Sequence, residues 1–187
     1  MSLRRMKQEI VEELKAELYN IIEEALVEEA LVEESKTVKI GKLEWMTENY
    51  NDVKSVPLIR GREKWIDNAV EDLPKPACSV SINKTVVYNW YALEHLKIPS
   101  GWRIPTAKDW ETLKGKNLEE LNWNPQHDGL RAEDGVYEGK DSMGFWWTAT
   151  EKNEKRAIQT DIVDNSYTIR MDDMPKTWAM AVRLVRG

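Results

Sequence analysis

The feature that most constrains the fold is a change in character near Ser35. Residues 1–35 contain no glycine or proline and carry four basic and ten acidic side chains, so they account for the formal net charge of −6. The rest of the chain is neutral and rich in turn-forming residues. Because a domain takes about 100–200 residues, we predict an appendage at residues 1–35 and one domain at residues 36–187.

The appendage is predicted to form one amphipathic helix over residues 3–34, because apolar residues recur at helical spacings between its glutamates. These residues are Leu3, Ile10, Leu14, Leu18, Ile21, Ile22, Ala25 and Leu26. A helix of this length cannot bury its apolar face alone. We expect residues 3–34 to form a small homo-oligomeric bundle, and the alternative is that they pack on the chain's own domain.

Composition excludes several classes of protein. No stretch approaches the ~18 apolar residues of a membrane span, and no secretory signal is visible, so we expect no membrane insertion; the location (virion, cell surface or cytoplasm) stays unknown. A neutral domain lacks the basic face that nucleic acid requires. The single cysteine, Cys78, excludes an intrachain disulfide. With only His95 and His127 as histidines, we expect neither a metal nor a cofactor.

The domain is predicted to place helices before strands. Thr106 and Asp109 form a capping-box pattern that predicts a helix over about 107–115. After Gly135, apolar segments separated by turns predict strands near 144–149, 156–163, 166–171 and 178–185. This order is typical of the α+β class.

Five segments carry motifs that resemble one bacterial family. They are VKIGKLEWMTENYN (38–51), VYNWYAL (87–93), PSGWRIPT with DWETL (99–113), GFWWTATE (144–151) and AVRLVR (181–186). In order and spacing they resemble the Fibrobacter succinogenes major paralogous domain. The resemblance implies a C-type-lectin-like fold, related to the variable proteins of diversity-generating retroelements and to formylglycine-generating enzymes. Ile98 and Leu184 stand where that family often has cysteines.

The resemblance also implies where a ligand would bind. In lectin-like domains the late strands and their loops form the ligand platform, which corresponds to residues 156–178 here. The candidates are Ile158, Thr160, Ile162, Asp164, Tyr167, Ile169, Met171, Asp172, Lys176 and Trp178. Trp146 and Trp147 occupy successive strand positions and point to opposite faces, so Trp147 is a further candidate. For each residue the alternative is a position in the core.

We expect a protein that binds a ligand and catalyses nothing. The calcium-binding motifs of animal lectins are absent, although the adjacent carboxylates of Asp172 and Asp173 could act as weak calcium ligands. One cysteine argues against formylglycine-type chemistry. The resemblance implies a protein or glycan ligand on a cell surface, bound by a retroelement variable protein or a phage receptor-binding protein. The alternative is a structural or assembly module of a bacterial surface or phage particle, with no ligand of its own.

Overall fold

The structure is a computed structural model that describes residues 14–15, 37–70, 74–81, 84–163 and 168–187. The chain divides into two units, residues 1–37 and 38–187. In the first unit, Leu14 and Lys15 are helical and exposed. The rest of the helix predicted over residues 3–34, and with it the predicted self-association, lies outside the described residues.

Three small sheets make up the described part of residues 37–187. The first has the order β1-β2-β11, with bounds Thr37–Ile40, Leu43–Met46 and Val185–Arg186. The second has the order β3-β4-β10-β5-β6, with bounds Cys78–Val80, Val86–Asn89, Ala179–Met180, Leu130–Arg131 and Tyr137–Glu138. The third is the antiparallel meander β7-β8-β9, with bounds Met143–Glu151, Arg156–Val163 and Ile169–Pro175.

Helices are short within the described residues. They are α1 (Arg62–Val70), a 3-10 helix (Trp90–His95) and α2 (Ala107–Glu111). The described part of the fold is therefore mostly β, and the predicted α+β class is wrong. The segments at 38–40 and 43–46 alternate and are strands, but the prediction missed β3 and β4, because strands of three or four residues are too short to show a clear alternation of apolar and polar side chains.

Helix α2 begins with the predicted capping box. The backbone N–H of Asp109 donates to Oγ1 of Thr106, and the backbone N–H of Thr106 donates to Oδ2 of Asp109 at 2.7 Å. Arg103 adds two hydrogen bonds to the Asp109 carboxylate, at 2.6 and 3.0 Å. The capping box is confirmed. The helix ends at Glu111, earlier than predicted, and a tight turn follows in which Gly115 has a φ of +73°.

The third sheet separates two apolar cores. Trp146, Thr160 and Met171 lie opposite one another on the face that α2 covers, while Trp147, Gln159 and Asp172 are paired on the other face. The core on the α2 side is built from tryptophans: Trp45, Trp110, Trp123 and Trp146, with adjacent ring centroids 5.0–5.7 Å apart. The two neighbouring rings of the Trp-Trp pair do point to opposite faces, but both are fully buried.

The segment from Ala179 to Arg186 links the three sheets. Met180, Val182 and Leu184 enter the core that contains Trp147. The predicted single strand is two short strands with a connection between them. Within that connection, the backbone N–H of Ala181 donates to Phe145 and the carbonyl of Val182 accepts from Tyr50.

Candidate ligand-binding site

Five of the predicted ligand contacts lie in the interior, and one of them, Lys176, is described separately below. Trp147, Thr160, Ile162 and Ile169 are at most 6% exposed. Ile162 and Ile169 pack with the tryptophans beneath α2. In this conformation their side chains cannot touch a ligand, because both faces of the central strand β8 are covered there.

The other predicted contacts are distributed differently. Asp172 is exposed, whereas Ile158, Met171 and Trp178 are partly buried. Met171 packs against the core beneath α2, and Trp178 packs against the core that contains Trp147. Asp164 and Tyr167 lie outside the described residues.

Of the predicted ligand contacts, Lys176 lies next to a cavity, because it contacts the Trp90 ring that lines it. Its side chain is buried, and its ammonium group lies 4.4 Å from the centroid of the Trp90 ring and forms an ion pair with Glu151. The backbone carbonyl of Lys176 accepts a hydrogen bond from the backbone N–H of Trp90. These contacts attach the chain at Lys176 to the start of the 3-10 helix at Trp90.

Beside this contact is an open cavity of about 280 Å³, which we call the aromatic cavity. It is lined by Trp90, Tyr91, Leu93, Glu94, Ile104 and Ala149. The indole N–H of Trp90 donates to the carbonyl of Thr148 at 3.1 Å, which fixes the ring while leaving it partly exposed. The 3-10 helix contributes four of the six lining residues.

Among the described residues, the aromatic cavity has one carboxylate in its lining, that of Glu94, and Glu151 lies outside the lining as the partner of Lys176. Glu94 is exposed in the lining, and the Glu151 side chain is 54% exposed. Burial raises the pKa of the Tyr91 hydroxyl, and the nearby negative charge of Glu151 raises it further. Tyr91 therefore stays protonated at neutral pH and can donate a hydrogen bond, while the carboxylates accept. An aromatic ring with acceptors at its edge can stack on the C–H face of a sugar and bind its hydroxyls.

The sequence reasoning did not select these residues. It identified VYNWYAL as a family motif at a helix start but assigned no ligand role to it. The available signal was Trp90 followed by Tyr91, two large side chains with polar groups next to the polar residues Asn89 and Glu94. Their meeting with Lys176 and Glu151 depends on tertiary structure.

A second polar cluster is buried and serves packing. Asn49 is its centre: its Oδ1 accepts from the Trp146 indole at 2.6 Å and from the Arg183 guanidinium at 2.9 Å. Its Nδ2 donates to Asp128 at 3.1 Å, and its backbone N–H donates to Gln126 at 2.7 Å. We call this set the Asn49 network.

Arg183 is fully buried in the Asn49 network. Its guanidinium lies 4.0 Å from the Trp123 ring centroid and 5.5 Å from that of Trp146. Desolvation lowers the pKa of Arg183 to about 9, an effect opposed by the charges of Asp128 and Glu48. Arg183 therefore remains cationic at neutral pH, and the described surroundings give no ligand access to it.

Three further features of the described residues bear on other types of site. No group of three or more His, Cys, Asp and Glu residues among them could hold a metal ion. Cys78 is buried, and desolvation raises the pKa of its thiol to about 11, so little thiolate is present at neutral pH. Among the helices of the described residues, none has the length and apolar character of a transmembrane segment.

Comparison with known proteins gives one match. Residues 38–121 match the family described as the Fibrobacter succinogenes major domain, which supports the resemblance seen in the motifs of this region. The matched range includes Trp90 and Tyr91 but ends before β7, so the predicted late-strand contacts lie beyond it. No similar curated protein and no similar solved structure was found.

Proposed function

We propose that this chain is a non-enzymatic binding protein whose ligand enters the aromatic cavity beside Lys176. The observation that carries the proposal is the partly exposed Trp90 ring, which is fixed by its hydrogen bond to Thr148 and shares the cavity lining with Tyr91 and the carboxylate of Glu94. Because Trp90 is already ordered before a ligand arrives, binding does not have to order it, and this lowers the entropic cost.

A glycan is the ligand class that best suits these groups. Binding cavities for small ligands typically occupy about 300–1,000 Å³, and the volume of about 280 Å³ here is near the lower end. It suits one sugar residue at the end or side of a longer chain. The Trp90 face would stack on the ring, and Glu94 and Tyr91 would bond hydroxyls.

The proposal keeps part of the late-strand prediction. The buried Lys176 side chain contacts the Trp90 ring and holds it in place. Asp172 is exposed on β9, where it could contact a larger ligand. A role as a retroelement variable protein or phage receptor-binding protein is the finer form of the proposal. A mutated repeat of the gene segment near its coding sequence would support the first of these, and its absence would contradict it.

The test is binding of the labelled full chain to an array of defined glycans. We expect binding to at least one glycan, loss of that binding in Trp90→Ala, and retention in Trp178→Ala, which replaces a partly buried tryptophan outside the cavity lining. Circular dichroism would establish that both variants are folded. No binding by the wild-type chain, or equal binding by Trp90→Ala, would contradict the proposal and favour the structural or assembly role.

A further inference from the structure

A second concave region differs from the aromatic cavity in charge. Two adjoining cavities of about 540 and 440 Å³ share Leu58, Ile59 and Arg60, and we call them together the basic groove. The first also has Lys64 and Lys75 in its lining, and the second has Arg62 and Arg131. The basic groove and the aromatic cavity have no lining residue in common.

Arg131 is the unusual group of the basic groove, because it is a buried cation among neutral partners. It is 3% exposed, and its guanidinium donates to Oγ of Ser79 at 2.8 Å and to the carbonyls of Gly61 and Gly135 at 2.8 and 3.3 Å. The Trp65 and Tyr137 rings lie 4.6 and 5.4 Å from it. Within residues 37–70, 74–81, 84–163 and 168–187, no carboxylate forms an ion pair with it.

The positive charge of Arg131 is therefore not balanced by a carboxylate among the described residues. Burying a charge without an opposite charge is costly, and burial lowers the pKa of Arg131, which reports that cost. A guanidinium has five N–H donors, and three hydrogen bonds to protein groups are formed here. An anion near Arg131 would offset the unfavourable electrostatic energy.

The entrance to the basic groove is positive as well. Arg60 and Lys64 are exposed, and neither forms an ion pair with any described residue. Among the residues that the structure describes, Asp67 is the one carboxylate lining the first cavity, while Arg62 forms an ion pair with Asp134 at 3.6 Å. In a chain with a formal net charge of −6, this local excess of cations is not a reflection of overall composition.

We propose that the basic groove binds an oxyanion group (carboxylate, sulfate or phosphate) of a small ligand. Arg60 and Lys64 would contact the group directly, since charge-assisted hydrogen bonds are the strongest that a side chain makes. Arg131 would supply a fixed positive charge from beneath. Leu58 and Ile59, both partly buried, would contact the apolar part of the ligand.

The experiment is an NMR titration of the full ¹⁵N-labelled chain. The probes are sodium sulfate, sodium phosphate and sodium glucuronate, each compared with sodium chloride at equal ionic strength. The reporters are the backbone amides of Gly61 and Gly135, whose carbonyls bond Arg131. We expect saturable shifts at both glycines with at least one oxyanion and none with chloride. The probe with the lowest Kd identifies the preferred group.

Matched variants separate a site from general attraction of anions. Arg60→Gln with Lys64→Gln should raise the Kd by at least about tenfold, which corresponds to the loss of about one charged contact. The control, Lys108→Gln with Lys114→Gln, makes the same charge change at exposed positions elsewhere and should leave the Kd unchanged. Absence of saturable shifts with all three oxyanions would overturn the proposal, as would equal weakening in the two double variants. Neither result bears on glycan binding in the aromatic cavity.

Discussion

Two cations of this domain lie against tryptophan rings in very different surroundings. The Arg183 guanidinium is 4.0 Å from Trp123, and the Asn49 network surrounds it with buried groups. The Lys176 ammonium is 4.4 Å from Trp90, but its carboxylate partner Glu151 is 54% exposed. The same type of contact therefore occurs both inside a closed core and beside an open cavity.

The comparison teaches that the neighbours of a cation decide its role. Around Arg183 every lost hydrogen bond leaves a buried group without a partner, which is costly. Lys176 is itself buried, but Glu151 is half-exposed and can bind water instead, so that loss of the lysine charge leaves no buried partner without a hydrogen bond. The first arrangement stabilises the fold, whereas the second leaves the Trp90 ring available to a ligand.

The largest expected effect comes from Asn49→Ala. This change removes the acceptor shared by Arg183 and Trp146, and it should lower the free energy of unfolding by about 3–5 kcal/mol, because a buried charge loses its hydrogen bond. Urea denaturation measures the loss. Asn153→Ala is the control, since Asn153 accepts its bonds in an exposed turn, and it should cost less than about 1 kcal/mol. Equal losses of stability in Asn49→Ala and Asn153→Ala would mean that the Asn49 network around Arg183 stabilises the fold no more than an exposed turn does.

A smaller effect is expected from Asp109→Asn, which weakens the capping box of α2, the helix that covers the core built from tryptophans. The hydrogen bonds from Arg103 lower the pKa of the Asp109 carboxyl to about 2. Ionised Asp109 therefore stabilises the native state above the unfolded pKa of about 3.9, and this contribution is lost as the pH falls towards 2. At pH 7 the variant should lose about 1–2 kcal/mol, a value reduced by solvent screening of the partly exposed Arg103.

Denaturation of both proteins from pH 7 to pH 2 provides the check for Asp109. The difference between wild type and variant should be constant above about pH 5 and should shrink as the pH falls below 4. A difference that stays constant down to pH 2 would mean that the Asp109 charge does not stabilise α2.

The smallest effect on stability is expected from Lys176→Met. The methionine keeps an apolar stem against Trp90 while the charge is removed, so the free energy of unfolding should change by less than about 1 kcal/mol. Urea denaturation again gives the value. Should the loss approach that of Asn49→Ala, the Lys176 contact would be part of the structural core, and its assignment to the cavity would fail.

Local signals in the sequence were sufficient for some elements. The Thr106–Asp109 capping box and the β8 strand depend on residues close together in the chain, and both occur where the sequence indicated. The fold class was wrong because the strands Cys78–Val80 and Val86–Asn89 are defined by their pairing with each other and with β10, not by a repeating pattern of their own.

The candidate site was harder to predict for a related reason. Alternation along β8 shows that Ile158, Thr160 and Ile162 share a face, but it does not show that α2 covers that face. The sequence reasoning placed these residues at a ligand surface, whereas Thr160 and Ile162 are buried. Conversely, Trp90 and Lys176 are 86 positions apart, and only the fold brings them together.

The pairing of β2 with β11 has a consequence for synthesis of the protein. Val185 pairs with Trp45, and Arg186 makes two hydrogen bonds with Glu44, so the first sheet joins residues about 140 positions apart. While the ribosome is still producing the chain, Trp45 has no strand partner from this segment, and Asn49 has no Arg183. Because contacts between distant residues form slowly, the first sheet and the Asn49 network can be completed only after residues 183–186 have been synthesised.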